Sequence, residues 1–507
     1  MADYKISNID GLAELAQTYK EAGKRVVLCH GTFDLMHTGH IRYLQRAKKE
    51  GDLLFVTVTA DEFVNKGPGR PVFGELLRAE NIAALQCVDH VAINFSPTAV
   101  DLLLKIKPSL YVKGGEYRDH SGDVTGNISK EKEAVERFGG EIFYTDEITF
   151  SSSSLLNEHF GVFLPETKEF LERFTERFSD KDVHQIIDGL GKLNVLVVGD
   201  AIVDQYHYVS PLGQTGKGNV LAVQYESEEQ FAGGSLAVAN HISQFAKSVT
   251  LVTGLGEVDS HEDFIREKLN PTIKPVFSYF KNAPTVTKRR FVDSDLAKLF
   301  EVYFFQDHPK LVNDGKEVDG WLDKNLPQFD LVVVADFGNG FISNAMIDLL
   351  CKKAKLLAVN TQVNSGNRGF HVINRYPRAD FVSLNEPELR LAAHNRHDPL
   401  EVICEETAQR LGAKSFAVTR GTKGVMWFDE GAHEFNRVPA LSSRVVDRIG
   451  AGDAFLSLSS LCVASGAPAE AANFIGSVAA AIDVQIVCNR EPIDAINLKK
   501  YISTLLK

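Results

Sequence analysis

The chain has 507 residues, too many for one ordinary core, and its 44% apolar content is that of a folded globular protein, so two or three domains are expected. Lysine and arginine number 55 against 67 acidic residues, a net charge of -12, which argues against nucleic acid or an acidic membrane as partner and leaves room only for a local basic pocket. No apolar run is long enough to span a bilayer, the start Met1-Ala-Asp-Tyr-Lys-Ile6 has no apolar signal core, and the six cysteines form no C-x-x-C pair, so reduced thiols in a cytoplasmic protein are expected.

In chain order, Ile6, Ile9, Leu12, Leu15 and Ala16 recur at helical spacing, predicting a covering helix over 4–22. Val26-Val-Leu-Cys29 reads as a buried strand and leads into His30-Gly-Thr-Phe-Asp-Leu-Met-His-Thr-Gly-His40, after which Ile41–Lys49 has helical spacing. His37 and His40, three apart at the strand-to-helix junction, share the first turn of that helix, where open backbone N–H groups favour an anion. Further strands are expected at Leu53–Val58, His90–Asn94, Leu110–Val112 and Glu141–Tyr144, with helices between them. Strands alternating with helices imply parallel pairing and a doubly wound α/β domain, here 1–158.

Residues 159–191 differ. Phenylalanines spaced by three and four among the charges of Lys168–Phe178 make an amphipathic helix, expected as a linker packed on one domain. A second doubly wound domain, 192–507, then has apolar runs at Leu193–Asp200, Leu331–Gly338, Leu356–Asn360, Phe381–Asn385 and Phe416–Gly421, each ending in polar residues or glycine. In open α/β sheets ligands sit beyond such carboxyl ends, so these endings should outline one site.

The embedded pattern G-T-F-D-x-x-H-x-G-H resembles the cytidylyltransferase-like nucleotidyltransferases, which join a phosphate to the α-phosphorus of a nucleoside triphosphate and release pyrophosphate. The resemblance implies that His37 and His40 stabilise charge on the reacting phosphate, that Gly31, Thr32, Phe33 and Asp34 help cradle the nucleotide, and that Lys48 or Lys49 neutralises phosphate. Arg70-Pro-Val72 with Arg78, Val88-Asp89, Tyr111-Val-Lys-Gly-Gly-Glu-Tyr117 and Ser151-Ser-Ser-Ser-Leu155 follow in the order of the adenylyltransferase domain of bacterial heptose kinase/adenylyltransferases. That implies a catalytic Lys113 and nucleotide contacts from Arg78, Ser151, Ser152 and Ser153; Cys87, where glycerol-phosphate cytidylyltransferases usually have arginine, tilts the expectation to ATP over CTP.

Asp447-Arg-Ile-Gly-Ala-Gly-Asp-Ala-Phe455 resembles the ribokinase-type (PfkB) sugar kinase signature. It implies an anion hole at Gly450, Ala451 and Gly452 and a general base at Asp453. By the same resemblance Asn385 and Glu388 organise Mg²⁺ and phosphate through water, Thr419, Gly421 and Gly424 flank the adenine nucleotide, and Asp200, Asp204, Gly233, Gly234, Asn240, Lys288 and Arg290 hold the sugar. Three departures stand out: Asn339 where lysine is expected, Asn360-Thr-Gln362 for Asp-Pro-Lys, and Val487-Cys-Asn489 without its usual glycine. The kinase also comes second, whereas in the familiar fusion it comes first. The expected whole is a homo-oligomeric, bifunctional enzyme of nucleotide-sugar synthesis acting on sugar phosphates and nucleoside triphosphates; the alternative is a cytidylyltransferase fused to a different or non-catalytic sugar kinase-like module.

Overall fold

The computed structural model describes residues 5–64, 70–118, 127–145, 163–216, 218–367, 369–442 and 444–507. The chain divides into two compact units, residues 1–164 with 499–507, and residues 165–498.

Among its described residues the first unit carries six strands, β1 (Ile6–Ser7), β2 (Val26–Gly31), β3 (Leu53–Thr59), β4 (His90–Asn94), β5 (Leu110–Lys113) and β6 (Glu141–Tyr144). They pair in the order β1-β4-β3-β2-β5-β6, every pairing parallel. Val26, Val27, Leu28 and Cys29 are fully buried because apolar clusters cover both faces of the sheet. From β2 the chain winds to β3 and β4 on one side and later to β5 and β6 on the other. The carboxyl ends of β2 and β5 therefore flank the point where strand order reverses, the crevice in which doubly wound folds hold ligands. The expected helix over 4–22 is shorter, Ile9–Glu21, because Ile6 and Ser7 pair with Val91 and Ala92, and Asn8 caps the helix by accepting Gly11 N–H at 2.7 Å.

The expected linker forms two helices, Pro165–Arg177 and Asp180–Gly189, the second opened by a capping box at Ser179 and Asp182. Phe170 and Phe174 pack against Phe474 as tilted ring pairs with centroids 6.2 and 4.3 Å away, so this stretch packs within the second unit.

The second unit continues with β7 (Asn194–Gln214), β8 (Leu221–Gly234), β9 (Ser248–Val258), β10 (Ile273–Pro284), β11 (Thr287–Val292), β12 (Lys298–Phe304), β13 (Leu331–Asp336), β14 (Leu357–Thr361), β15 (Phe381–Asn385), β16 (Ser415–Thr419), β17 (Val425–Asp429) and β18 (Glu434–Val438). The main sheet runs β10-β9-β7-β13-β14-β15-β16-β17-β18, parallel as far as β16. Strand β7 is 21 residues long and belongs to two sheets. Residues 194–200 pair with β9 and β13, while 201–214 pair with β8 and β11 in a four-stranded flap completed by β12. The flap is absent from the sequence-based expectations, since its strands are partly exposed and alternate polar with apolar. Register puts Asp204, Tyr206, Lys288, Arg290, Glu301 and Tyr303 on one face of the flap and Arg289, Phe291, Phe300 and Val302 on the other.

Candidate active sites

In the first unit, the loop after β2 brings the two predicted histidines together. His37 caps helix Thr38–Lys48, its Nδ1 accepting Gly39 N–H at 3.1 Å. The His37 and His40 rings stack with centroids 4.0 Å apart, and Phe33 meets His40 edge-on at 5.4 Å. Burial pushes the His37 imidazole below its ordinary range, so at neutral pH it acts as a neutral group. Gly31, the last residue of β2, and Thr32 lead into this turn. His30 lies outside the pair: Nδ1 meets Thr57 Oγ1 at 2.9 Å, and desolvation holds its pKa down at about 3.

Other predicted nucleotide contacts are employed elsewhere. Arg78 is fully buried, donating to Phe73 O (2.9 Å), Thr32 O (2.6 Å), Thr59 O (2.8 Å) and Asp61 Oδ1 (2.5 Å), and thus clamps the loops that follow β2 and β3. Asp34 is 3% exposed and accepts Val72 N–H at 2.7 Å and Phe73 N–H at 3.2 Å, fastening the Pro71–Phe73 segment. Lys48 ends the helix, about 15 Å from its start, and its Nζ donates to Asp89 Oδ2 at 2.6 Å. Lys49, the C-cap beside it, is exposed. Lys113 does stand at the carboxyl end of β5, but its ammonium is paired with the buried Glu131 at 2.8 Å. Ser151, Ser152 and Ser153 lie outside the described residues.

In the second unit a cavity of about 670 Å³ opens between the flap and the carboxyl ends of the main sheet, a volume typical of small-ligand sites. Its wall gathers Asp204, Gly234, Lys288 and Arg290 with Asp453 beside them, and Thr419, Gly421, Gly424, Gly450, Ala451 and Gly452. Helix Ala451–Ala464 starts at Gly450, whose φ of 103° only glycine adopts readily; its carbonyl takes the Asp453 and Ala454 N–H groups. The remaining N–H groups of that first turn are the kind of donors that can hold an anion at a helix start. Burial, then the neighbouring Asp204, raises the Asp453 carboxyl to about 7, with Lys288 opposing. A carboxyl tuned there exchanges protons near neutrality, as a general base must. Asp204 pairs with Arg290 and leans on Gly233, where an added Cβ would meet its carboxylate at 2.0 Å. Lys288 is 7% exposed, its ammonium 5.6 Å from the Tyr303 ring and 5.8 Å from that of Phe337, and desolvation lowers its pKa.

Four predicted residues are committed to other partners, although one of them, Asn385, still lines the cavity. Asp200 accepts the N–H groups of Phe337 (2.8 Å), Asn339 (3.4 Å) and Phe341 (3.2 Å), so it shapes the loop after β13 rather than lining the cavity. Asn240 donates to Lys268 O at 3.0 Å and accepts Asn270 N–H at 2.9 Å, in a separate cavity of about 450 Å³. Asn385 and Glu388 form the capping box of helix Glu386–Ala392, and Glu388 accepts N–H groups of Asn385 (2.9 Å) and Val363 (3.2 Å). With each Glu388 oxygen committed and the side chain 5% exposed, the pair does not fit a directly ligated Mg²⁺. No cluster of three or more His, Cys, Asp or Glu able to hold a metal occurs among the described residues.

The cavity also recruits Gln362, Arg420 and Arg448, none of which the sequence reading assigned. Adjacency was the available signal for the arginines, since Arg420 stands between Thr419 and Gly421 and Arg448 follows Asp447. Asp447 itself is tied to the flap, accepting Tyr206 Oη–H at 2.5 Å and the Lys298 ammonium at 3.2 Å.

Comparison with known proteins matches the description Cytidylyltransferase-like over residues 28–159. The chain is similar to the bifunctional protein HldE of Geobacter metallireducens (41% identical over 143 residues) and of Geotalea uraniireducens (43% over 143 residues), each match covering 28% of this chain and 28% of the relative. The chain thus spans less than a third of the length of these relatives. Phosphofructokinase-2 of Escherichia coli superposes at a TM-score of 0.50 with 14% identity, covering 62% of this chain and all 100% of that one, and shares the fold of the second unit. The model of the pfkB family of carbohydrate kinases matches residues 192–494, more than half of the sequence, in the stretch that holds Gly450–Asp453. The chain belongs to the pfkB carbohydrate kinase family.

Proposed function

We propose that the chain is a bifunctional enzyme of nucleotide-sugar synthesis. The second unit transfers the γ-phosphate of ATP, carried as its Mg²⁺ complex, to a sugar hydroxyl: Asp453 takes the hydroxyl proton, the sugar oxygen attacks the γ-phosphorus, and ADP leaves. The first unit joins a sugar 1-phosphate to the α-phosphorus of a nucleoside triphosphate, ATP before CTP, and pyrophosphate leaves. His37 and His40 hold the phosphoryl oxygens through that displacement, and binding at the helix start orients the attack in line. The observation that carries the reading is the convergence, on one 670 Å³ cavity, of a carboxyl tuned to about 7 with the glycine-led N-terminus of helix Ala451–Ala464.

The motif resemblance to bacterial heptose kinase/adenylyltransferases favours a heptose 7-phosphate as the kinase substrate and an adenylylated heptose as the final product. Gln362 in the cavity wall and Asn339 in the adjoining loop favour a second reading, in which the same chemistry acts on a sugar without a second phosphate. A homo-oligomer in the cytoplasm is the proposed setting: Phe300, Val302, Phe304 and Tyr225 leave the outer flap face apolar and exposed, and a second copy would cover it. No helix among the described residues is long and apolar enough to cross a membrane. Mass spectrometry of products formed from ATP and CTP with a panel of sugars, heptose 7-phosphate and sugar 1-phosphates tests the reading. A sugar phosphate plus ADP, and a nucleoside diphosphate sugar plus pyrophosphate, are expected; neither product with any pair would refute it.

A further inference from the structure

Behind the anion hole lies a group of polar atoms that the proposed chemistry does not use. A Cβ on Gly450 would come within 2.4 Å of Asn489 Oδ1 and 2.7 Å of Asp483 Oδ2, so an amide oxygen and a carboxyl oxygen rest against the same Cα. Asp483, the last residue of helix Ala469–Asp483, is completely buried. Neither of its oxygens has a hydrogen-bond partner among the described residues, and Asn489 Oδ1 has only the His241 ring to accept from. His241 is the nearby ring, 1% exposed. Its Nδ1 accepts Ile493 N–H at 3.0 Å, which leaves its own proton on Nε2, 3.9 Å from Asp483 Oδ1 and beyond hydrogen-bond reach. Burial holds His241 near 4, so it is neutral and supplies no compensating charge.

The other charged groups acting on Asp483 are carboxylates. Burial first, then Asp453 and Asp447, drive its acid form. No lysine or arginine among the described residues pairs with it. An ionised carboxylate buried without a partner costs several kcal/mol, whereas a neutral carboxyl has one O–H to give. Asn489 Oδ1, which also faces the His241 ring, lies against the same Cα and has a second lone pair to accept that proton. Asn489 also lines both the 670 Å³ cavity and the 450 Å³ one, the latter shared with His241, which makes it part of the wall between them.

We propose that Asp483 is a positioning residue of the kinase, held as a neutral acid that donates to Asn489, the two forming the rest against which Gly450 sets the anion hole. The proton has a second effect: it keeps negative charge away from the place where the transferring phosphoryl group must sit. This inference rests on the reading of residues 450–453 as the kinase anion hole.

The test uses the full chain. Infrared difference spectra of wild type against Asp483→Asn at pH 8 should show a protonated carboxylic acid band that the variant lacks; no such band would overturn the proposal. Affinity for a fluorescent ATP analogue is the second readout. Asp483→Asn, neutral and able to donate from its amide, should stay within about threefold of wild type, while Asp483→Ala and Asn489→Gly should each bind about tenfold more weakly. The double variant should be no weaker than either single one, because both remove the same rest. Circular dichroism checks that each variant is folded. Asp483→Asn failing as badly as Asp483→Ala, or additive losses in the double variant, would overturn the proposal. Neither readout needs the sugar, so a wild-type chain that makes no ADP with any sugar would count against the kinase reading separately.

Discussion

Replacing Arg78 by alanine separates two accounts of one residue. If Arg78 grips nucleotide, its loss weakens substrate binding and leaves stability alone. The structure assigns it instead to three main-chain carbonyls and Asp61, with no exposed surface at all. Truncation strands the carbonyls of Phe73, Thr32 and Thr59, each worth about 1–3 kcal/mol when left without a donor. Relaxation and water entry recover part of that, so a net loss of about 3–5 kcal/mol is expected, as for other broken buried charge networks. That is a large share of the usual 5–15 kcal/mol of a whole domain (roughly). Arg78→Lys keeps the charge but not the planar fork, and should lose about 2 kcal/mol. Both tryptophans lie in the second unit, so urea unfolding of the first is better followed by hydrogen exchange of peptides from residues 26–34 and 53–64. Unfolding of Arg78→Ala at the wild-type urea concentration, with only nucleotide affinity reduced, would refute the clamp.

Asp453→Asn should lower kcat of the kinase by about 10²–10⁴-fold. Because its folded pKa is raised to about 7, the base is protonated below that pH, so wild-type kcat should rise through neutrality and level off above it; a flat profile across neutrality would contradict the assignment. Gly450→Ala combines a φ of 103° with contacts at 2.4 and 2.7 Å, a strain of about 1–3 kcal/mol, and is expected to depress phosphoryl transfer while sparing nucleotidyl transfer, both measurable on the same sample. Lys48→Met should leave nucleotidyl transfer within about twofold of wild type, since that ammonium serves Asp89 at the far end of its helix; a large rise in nucleotide KM would restore the phosphate role.

What could be read from the sequence was position along the fold. Strands His90–Asn94 and Glu141–Tyr144 fall where their apolar runs end, and the histidine turn and Gly450–Asp453 lie at carboxyl ends or helix starts where an open sheet presents its ligands. What could not be read was which way a charged side chain spends its donors. Arg78, Asp34 and Asp200 occupy the right segments yet turn to backbone groups of neighbouring loops, contacts set by tertiary packing across residues as far apart as Asp200 and Phe341. Asn385 and Glu388 show the same ambiguity locally, since N-x-x-E is also a capping box. The flap escaped because its longest strand looks like an ordinary core strand for its first seven residues and only then leaves the main sheet.

That shared strand limits how the gene can change. Between Val198 and Asp204 there is no loop to absorb an inserted or deleted codon. A shift of one residue there would rotate Asp204 and Tyr206 to the opposite face of the flap and break their registry with Lys288 and Arg290. Length variation is expected only at the far turn beyond the last pair, Gln214 opposite Leu221, where the described residues are exposed. New sugar specificities in this lineage should therefore arise by substitution on the inner flap face, and grafted segments or tags should be tolerated at residues 215–220 while failing anywhere nearer the core.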